Sequence, residues 1–205
     1  MKKIVKIICC LMLFFIVGCS ESTEEQEKVV NNFFEYIKEC DIAKLKTVAS
    51  EDIIDDMQLE DMEESLSAYT EEEFGKVFVE ETNKFKVSIF SGLFSDVKIG
   101  DVTVDGDETT VKVKCKQKDY TKVSFNQSSI NSATQEFINN NKDDLMKVYQ
   151  EQGLKAYQIK IYDGIAPVVY QNMIDEYNKV ESTDLDSTFV LEKEDGKWII
   201  TDIKE

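Results

Sequence analysis

The stretch from Val111 to Lys116 constrains the fold more than any other. Val111, Val113 and Cys115 alternate with Lys112, Lys114 and Lys116. Side chains on an extended strand point alternately to opposite faces, so this segment has one apolar face and one charged face. Such a strand belongs in an antiparallel sheet, covered on one side and wet on the other. A sheet buried on both faces is excluded by the lysines. The C-terminal end repeats the theme. Thr188 to Lys193 and Lys197 to Ile203 flank Glu194-Asp195-Gly196, where Asp-Gly predicts a tight type I′ turn. Val97, Ile99, Val102 and Val104 add a strand with an irregularity at Gly100-Asp101 and a turn at Asp105-Gly106. Tyr120, Val123 and Phe125 are expected to continue the sheet.

Helical spacing fills the rest. Val29, Val30, Phe33, Phe34, Ile37 and Cys40 recur at three- and four-residue intervals. Thr23 with Gln26, or Ser22 with Glu25, forms a capping box at the start. A short helix after Asp41 turns Ile42, Leu45 and Val48 inward. Ile53, Ile54, Met57, Leu59, Met62 and Leu66 continue helix through an acidic stretch. Thr70 with Glu73 opens a helix carrying Phe74, Val77, Phe78 and Phe85. Ser132 with Gln135 opens another, with Phe137, Ile138, Leu145, Val148 and Tyr149, and Gly153 breaks it. Asp163 is expected to cap a last helix whose first turn accepts Pro167. We therefore expect an α+β domain over residues 24–205. N-terminal helices would pack on a curved antiparallel sheet, with a helical insertion at 129–180 before the closing hairpin.

The first residues set the compartment. Lys2, Lys3 and Lys6 precede an apolar run ending Ile16-Val17-Gly18-Cys19. The run is shorter than the roughly 20 residues a membrane-crossing helix needs, and its charged start describes an export signal. Ile16-Val17-Gly18-Cys19 resembles the lipobox of bacterial lipoproteins. That resemblance implies cleavage between Gly18 and Cys19 and a diacylglyceryl group on the Cys19 sulfur. The protein would then be anchored at the extracytoplasmic face of the cell membrane. Residues 1–18 would be the signal peptide and 19–23 the lipidated tether, whose four residues after Cys19 span at most about 14 Å. Cys9 and Cys10 would leave with the signal.

Composition excludes several classes. The net charge of −17 becomes about −20 once Lys2, Lys3 and Lys6 are gone. Such a surface repels nucleic acid, which needs a basic footprint. All 24 basic residues are lysine, and there is no histidine. No Ser-His or Cys-His pair, imidazole metal ligand or guanidinium fork is possible. No cofactor and no metal is expected. Lysine in place of arginine, with many Ile and Asn, points with the lipobox to a Firmicute-type bacterium. Cys40 and Cys115 are expected as buried free thiols, although an exported protein permits a disulfide.

Two further stretches carry a resemblance. The break Glu39-Cys40-Asp41-Ile42-Ala43-Lys44-Leu45 after the first helix and the closing hairpin around Glu194-Asp195-Gly196-Lys197-Trp198 are similar to nuclear transport factor 2-like (cystatin-like) domains of bacterial lipoproteins. This resemblance implies helices on a curved sheet with a cone-shaped cavity, in a family that includes isomerases, dehydratases, adaptors and many non-enzymes.

Candidate binding groups are few. Lys112, Lys114, Lys116 and Lys118, with Lys122 nearby, form a strip that could dock an anion or could be a solvated strand face; Glu192 and Glu194 are placed across from it. Acidic runs at Glu51, Asp52, Asp55 and Asp56, at Glu60, Asp61, Glu63 and Glu64, and at Glu71 to Glu73 lack calcium-loop spacing and read as solvated helix faces. Phe33, Phe34, Tyr36, Phe74, Phe78, Phe85, Phe90, Phe94, Tyr157, Tyr162 and Trp198 form core or line an apolar pocket. Asp and Tyr pairs, such as Asp101 with Tyr120, could carry proton transfer in a dry pocket, but no spacing singles one out. The resulting expectation is a non-enzymatic, membrane-anchored lipoprotein that binds a small apolar ligand, a peptide or a partner protein. A self-protection lipoprotein acting near the membrane and a pocket isomerase or hydrolase are the alternatives.

Overall fold

The computed structural model describes residues 23–123 and 127–204. The expected signal segment 1–18, Gly18, Cys19, the tether through residue 22, and Phe125 lie outside the described residues. The chain is α+β. Six helices come first: α1 (Glu24–Glu39), α2 (Ile42–Leu45), α3 (Glu51–Asp56), α4 (Leu59–Ser67), α5 (Glu71–Phe74) and α6 (Lys76–Gly92). Strands β1 (Phe94–Asp105) and β2 (Glu108–Lys118) follow, then α7 (Gln127–Asn140) and α8 (Lys142–Lys179), then β3 (Ser182–Glu194) and β4 (Lys197–Lys204). The sheet is open and antiparallel, in the order β1-β2-β3-β4. Beyond β4 the chain at Ala49 makes a parallel bridge to Ile200.

The alternation on β2 sets the layers. Val111, Val113 and Cys115 are buried while Lys112, Lys114 and Lys116 face solvent. In register with the inner residues stand Phe189, Ser187 and Leu185 of β3. Helix α1 lays Val30, Phe33 and Ile37 on this face, and α6 adds Phe85, Ile89 and Phe90. Trp198 and Ile200 of β4 complete the floor. Helix α8 packs on α6 rather than on the sheet, and α7 packs on α8.

Local chemistry explains the ends of these elements. Helix α1 closes in a Schellman motif: Cys40 N–H donates to Ile37 O, Asp41 N–H donates to Tyr36 O, and Cys40 is left-handed at φ 56°. The Asp41 carboxylate then accepts from Lys44 N–H at 3.0 Å and starts α2. At the β3–β4 turn Asp195 (φ 50°) and Gly196 (φ 79°) are both left-handed, as a type I′ turn requires. The irregularity at Gly100-Asp101 is a register shift between Ile99 and Val102.

The structure corrects several expectations. Thr23 does not form a capping box; its hydroxyl donates to the Glu27 carboxylate at 2.8 Å. The helix expected from Thr70 is broken at Gly75 (φ 97°, ψ 162°) into α5 and α6. Helix α7 begins at Gln127, so Ser132 and Gln135 lie in its interior. Asp163 does not cap its own helix, and Pro167 is not in a first turn. Both lie well inside α8, which breaks only at Gly153 (φ 84°). The sheet does not continue through Tyr120, because the Asp119 carboxylate accepts from Thr121 N–H at 3.0 Å and curls the chain into a 3-10 turn. Strand β3 starts at Ser182, six residues earlier than its apolar pattern shows.

Asp163 instead serves α6. Its carboxylate accepts a hydrogen bond from Phe78 N–H at 2.9 Å. Phe78 is the third residue of α6, and the residue before that helix is Gly75, which has no side chain to cap with. A carboxylate 85 positions along the chain stands in for the missing cap. A Cβ at Gly75 would overlap that carboxylate. Further along the same interface the Tyr170 hydroxyl lies 2.6 Å from that of Thr82, and the Tyr177 hydroxyl donates to Ile89 O at 2.9 Å. The segment between β2 and β3 is thus bonded into the fold along its whole second limb.

Candidate functional site

An open cleft of about 270 Å³ lies under α1 and α3 at one end of the sheet. Each wall follows from an element already placed. Phe33 and Phe34 come from successive positions on α1, one toward the sheet and one toward its end. Ile53 comes from α3 and Met57 from the residue after it. Phe94 opens β1, directly in register with Gln117 of β2. Leu185, Ser187 and Phe189 are consecutive inward positions of β3, and Ile203 comes from β4.

The rings hold one another. Phe33 meets Phe189 edge-on at 5.5 Å between centroids, and Phe34 meets Phe94 edge-on at 5.3 Å. Offset and edge contacts of this kind add about 0.5–1.5 kcal/mol beyond area burial. A neighbouring cleft of about 400 Å³ shares Asp56, Met57, Phe94 and Gln117 with it; its own charged lining is Lys118, Asp119 and Lys122, with Lys122 paired to Asp119 at 3.3 Å.

Polar groups in this apolar wall are sparse and specific. Ser187 is 2% exposed, yet its hydroxyl has no hydrogen-bond partner. A buried hydroxyl without a partner costs about 1–3 kcal/mol. Ser187 is among the residues that line the cleft, with its hydroxyl oxygen almost closed to solvent. Gln117 is half-buried four residues along the sheet, opposite Thr183. Asp56 and Asp202 are exposed at the rim.

The sequence-derived candidates fall in different places. Of the aromatic set, Phe33, Phe34 and Phe94 line the cleft. Phe74, Phe78 and Tyr162 join Tyr69 and Tyr170 in a second cluster between α5, α6 and α8, where Phe74 stacks on Phe78 at 5.1 Å. Phe85, Phe90 and Trp198 are core, with the Lys193 ammonium 4.8 Å above the Trp198 ring. Tyr36 packs at the core edge, and Tyr157 meets Tyr149 at 5.9 Å on α8. Asp101 sits in the β1 bulge and Tyr120 past the opposite end of β2. The run of β2 from about Lys112 to Lys118, at about 3.3 Å per residue, and the turn beyond it separate them. Among the described residues no carboxylate is buried.

The lysine strip is paired within the molecule. Lys114 meets Asp186 at 2.9 Å and Lys116 meets Asp96 at 3.1 Å. Asp184 and Asp186, not Glu192 and Glu194, lie across from the strip; Glu192 stands opposite Glu108. Lys118 leaves the row altogether. Its ammonium lies 4.9 Å over the Tyr177 ring and reaches Tyr177 O (3.5 Å) and Asn178 O (3.4 Å) at the end of α8. It thus complements the negative end of that helix dipole. Lys112 faces solvent opposite Thr188.

The acidic runs ride on outer faces of α3, α4 and α5. Among the described residues no group of three Cys, Asp or Glu is placed to hold a metal, and no helix is long and apolar enough to cross a membrane. Cys40 and Cys115 are free thiols. Burial pushes both up from the ordinary thiol value, so neither is a ready nucleophile at neutral pH. Sequence reasoning missed Ser187, Leu185, Met57 and Gln117. Extending the inward parity of Phe189 and Leu191 backwards through Ser187 and Leu185 would have found two of them. Comparison with known protein families, curated proteins and solved structures finds no match for the chain.

Proposed function

We propose that this chain is a lipoprotein, anchored by lipid on Cys19 at the extracytoplasmic face of the cell membrane, whose domain binds a small apolar ligand in the cleft under α1 and α3. The protein acts by binding rather than by catalysis. The observation that carries the reading is the open cleft walled by Phe33, Phe34, Phe94 and Phe189, with the unpartnered Ser187 hydroxyl on its floor. Apolar walls with a few convergent polar groups are the common make-up of small-molecule sites.

The test is native mass spectrometry of the protein purified from its own membranes. A small-molecule adduct should be present, and should be lost in the Phe34→Ala and Ser187→Leu variants. A bare mass in the parent protein, with no shift on adding an apolar extract of the same cells, would refute the binding reading. The anchor has its own assay. Metabolic labelling with a radioactive fatty acid should mark the protein, and Cys19→Ala should abolish the label.

A further inference from the structure

We infer that the ligand carries a cationic head on its apolar body. The inference rests on the binding reading above and names the class of ligand. The charged residues lining the cleft are Asp56 and Asp202, and no lysine lines it. Asp56 makes no ion pair among the described residues. Asp202 has Lys204 at 3.5 Å, with side-chain exposures of 51% and 62%, a long and solvated pair that holds its partner weakly. Both carboxylates are therefore open to a ligand.

The three possible charge types separate clearly at this rim. An anionic head would meet two carboxylates in a chain of net charge −17. A neutral hydroxyl head can donate a hydrogen bond to one carboxylate but brings no charge. A cationic head gains from both, and gains again from the faces of the phenylalanine rings below, which attract cations lying within about 6 Å of the ring centroid. The Ser187 hydroxyl, 2% exposed and unpartnered, receives a polar atom at the far end of the body. The ligand class is thus a primary or substituted ammonium on a small aromatic or branched body that ends in one hydrogen-bonding group.

Three probes of one shape test this on the purified full chain. Tyramine has the cation, the ring and a terminal hydroxyl. 4-Hydroxyphenethyl alcohol is its neutral match, and 4-hydroxyphenylacetate its anionic one. Titration calorimetry should rank them in that order, with tyramine about tenfold tighter than the alcohol, a gap of about 1.4 kcal/mol. The double variant Asp56→Asn, Asp202→Asn should lower tyramine affinity about tenfold and leave the alcohol unchanged. Its thermal midpoint should match the parent, since both positions are exposed. High salt should weaken tyramine alone. Phenethylamine should bind less tightly than tyramine in the parent and equally to it in Ser187→Ala. Equal binding of tyramine and the alcohol, unmoved by the double variant, overturns the cation inference while leaving the cleft a binding site. No binding of any probe overturns both.

Discussion

Replacing Gly75 by alanine while altering Asp163 separates two energies that meet at one point. Gly75 has φ 97° and ψ 162°, a region occupied almost entirely by glycine. Holding a residue with a Cβ there costs about 1–3 kcal/mol. The new Cβ also pushes the Asp163 carboxylate off Phe78 N–H. Losing a helix cap costs about 0.5–2 kcal/mol. Asp163→Ala alone should therefore destabilise by about 1–2 kcal/mol. Gly75→Ala alone should cost about 3–4 kcal/mol, strain and lost cap together. In the double variant the cap can be lost only once, and no carboxylate remains to collide with. Its cost should fall short of the sum of the two by about 1–2 kcal/mol. Urea denaturation of the three variants and the parent, with a common slope, measures all four free energies. Additivity within about 0.4 kcal/mol would refute the trans-cap.

Burial pushes the Tyr177 phenol up to about 12 from its ordinary value of 10. Between those values the unfolded chain gives up its proton and the folded chain does not, so stability falls as pH rises through that window, by about 3 kcal/mol in all. Tyr177→Phe should start less stable and flatten the dependence; an unchanged slope in alkaline denaturation would refute the assignment. Ser187→Ala removes an unpartnered buried hydroxyl and should be neutral or stabilising by up to about 1 kcal/mol, against the usual cost of a buried substitution. A thermal midpoint lowered by several degrees would show that Ser187 has a partner. Gly164→Ala puts a Cβ into the Phe137 ring. It should undock α7 at a cost of about 1–3 kcal/mol, seen as faster amide exchange over 127–140 with the sheet amides unchanged. Leu191→Ala, at a fully buried position, should cost about 2–5 kcal/mol in the same denaturation assay.

The parts of this fold that could be read from sequence are those whose causes are local. The Val111–Lys116 alternation gave the sheet its two faces, and Asp195-Gly196 gave the turn type, because each is decided within a few residues. The break at Cys40 was legible for the same reason. What could not be read depends on distant neighbours. Ser182–Ser187 has one apolar residue in six, and is a strand because β2 offers it a full row of partners. Gly75 interrupts an apolar stripe that a helix pattern runs straight through, and only the arrival of Asp163 makes the break worthwhile. Pro167 reads as a helix start by its own chemistry, yet lies inside α8 because Tyr170 and Tyr177 beyond it and Asp163 before it are all bonded to α6. In the cleft, Phe33, Phe34 and Phe94 were visible as candidates, and Phe189 only as a residue of the closing hairpin. Ser187 was not, since an inward serine on a polar stretch has no pattern of its own.

The cap that Asp163 lends to α6 also orders events in time. As the chain is made, residues 76–92 appear long before 163, at about 5–20 residues per second. For several seconds α6 has an open N-terminus, and the side of Phe78 and Phe85 that Tyr170 will cover stays bare, although α1 and Phe74 can already pack on the rest of the helix. Tyr170, and Tyr177 beyond it, come later still. The half-made protein therefore carries a sticky helix through the middle of its synthesis. A cell that makes this chain has to shield the helix or keep it from forming until the second half arrives.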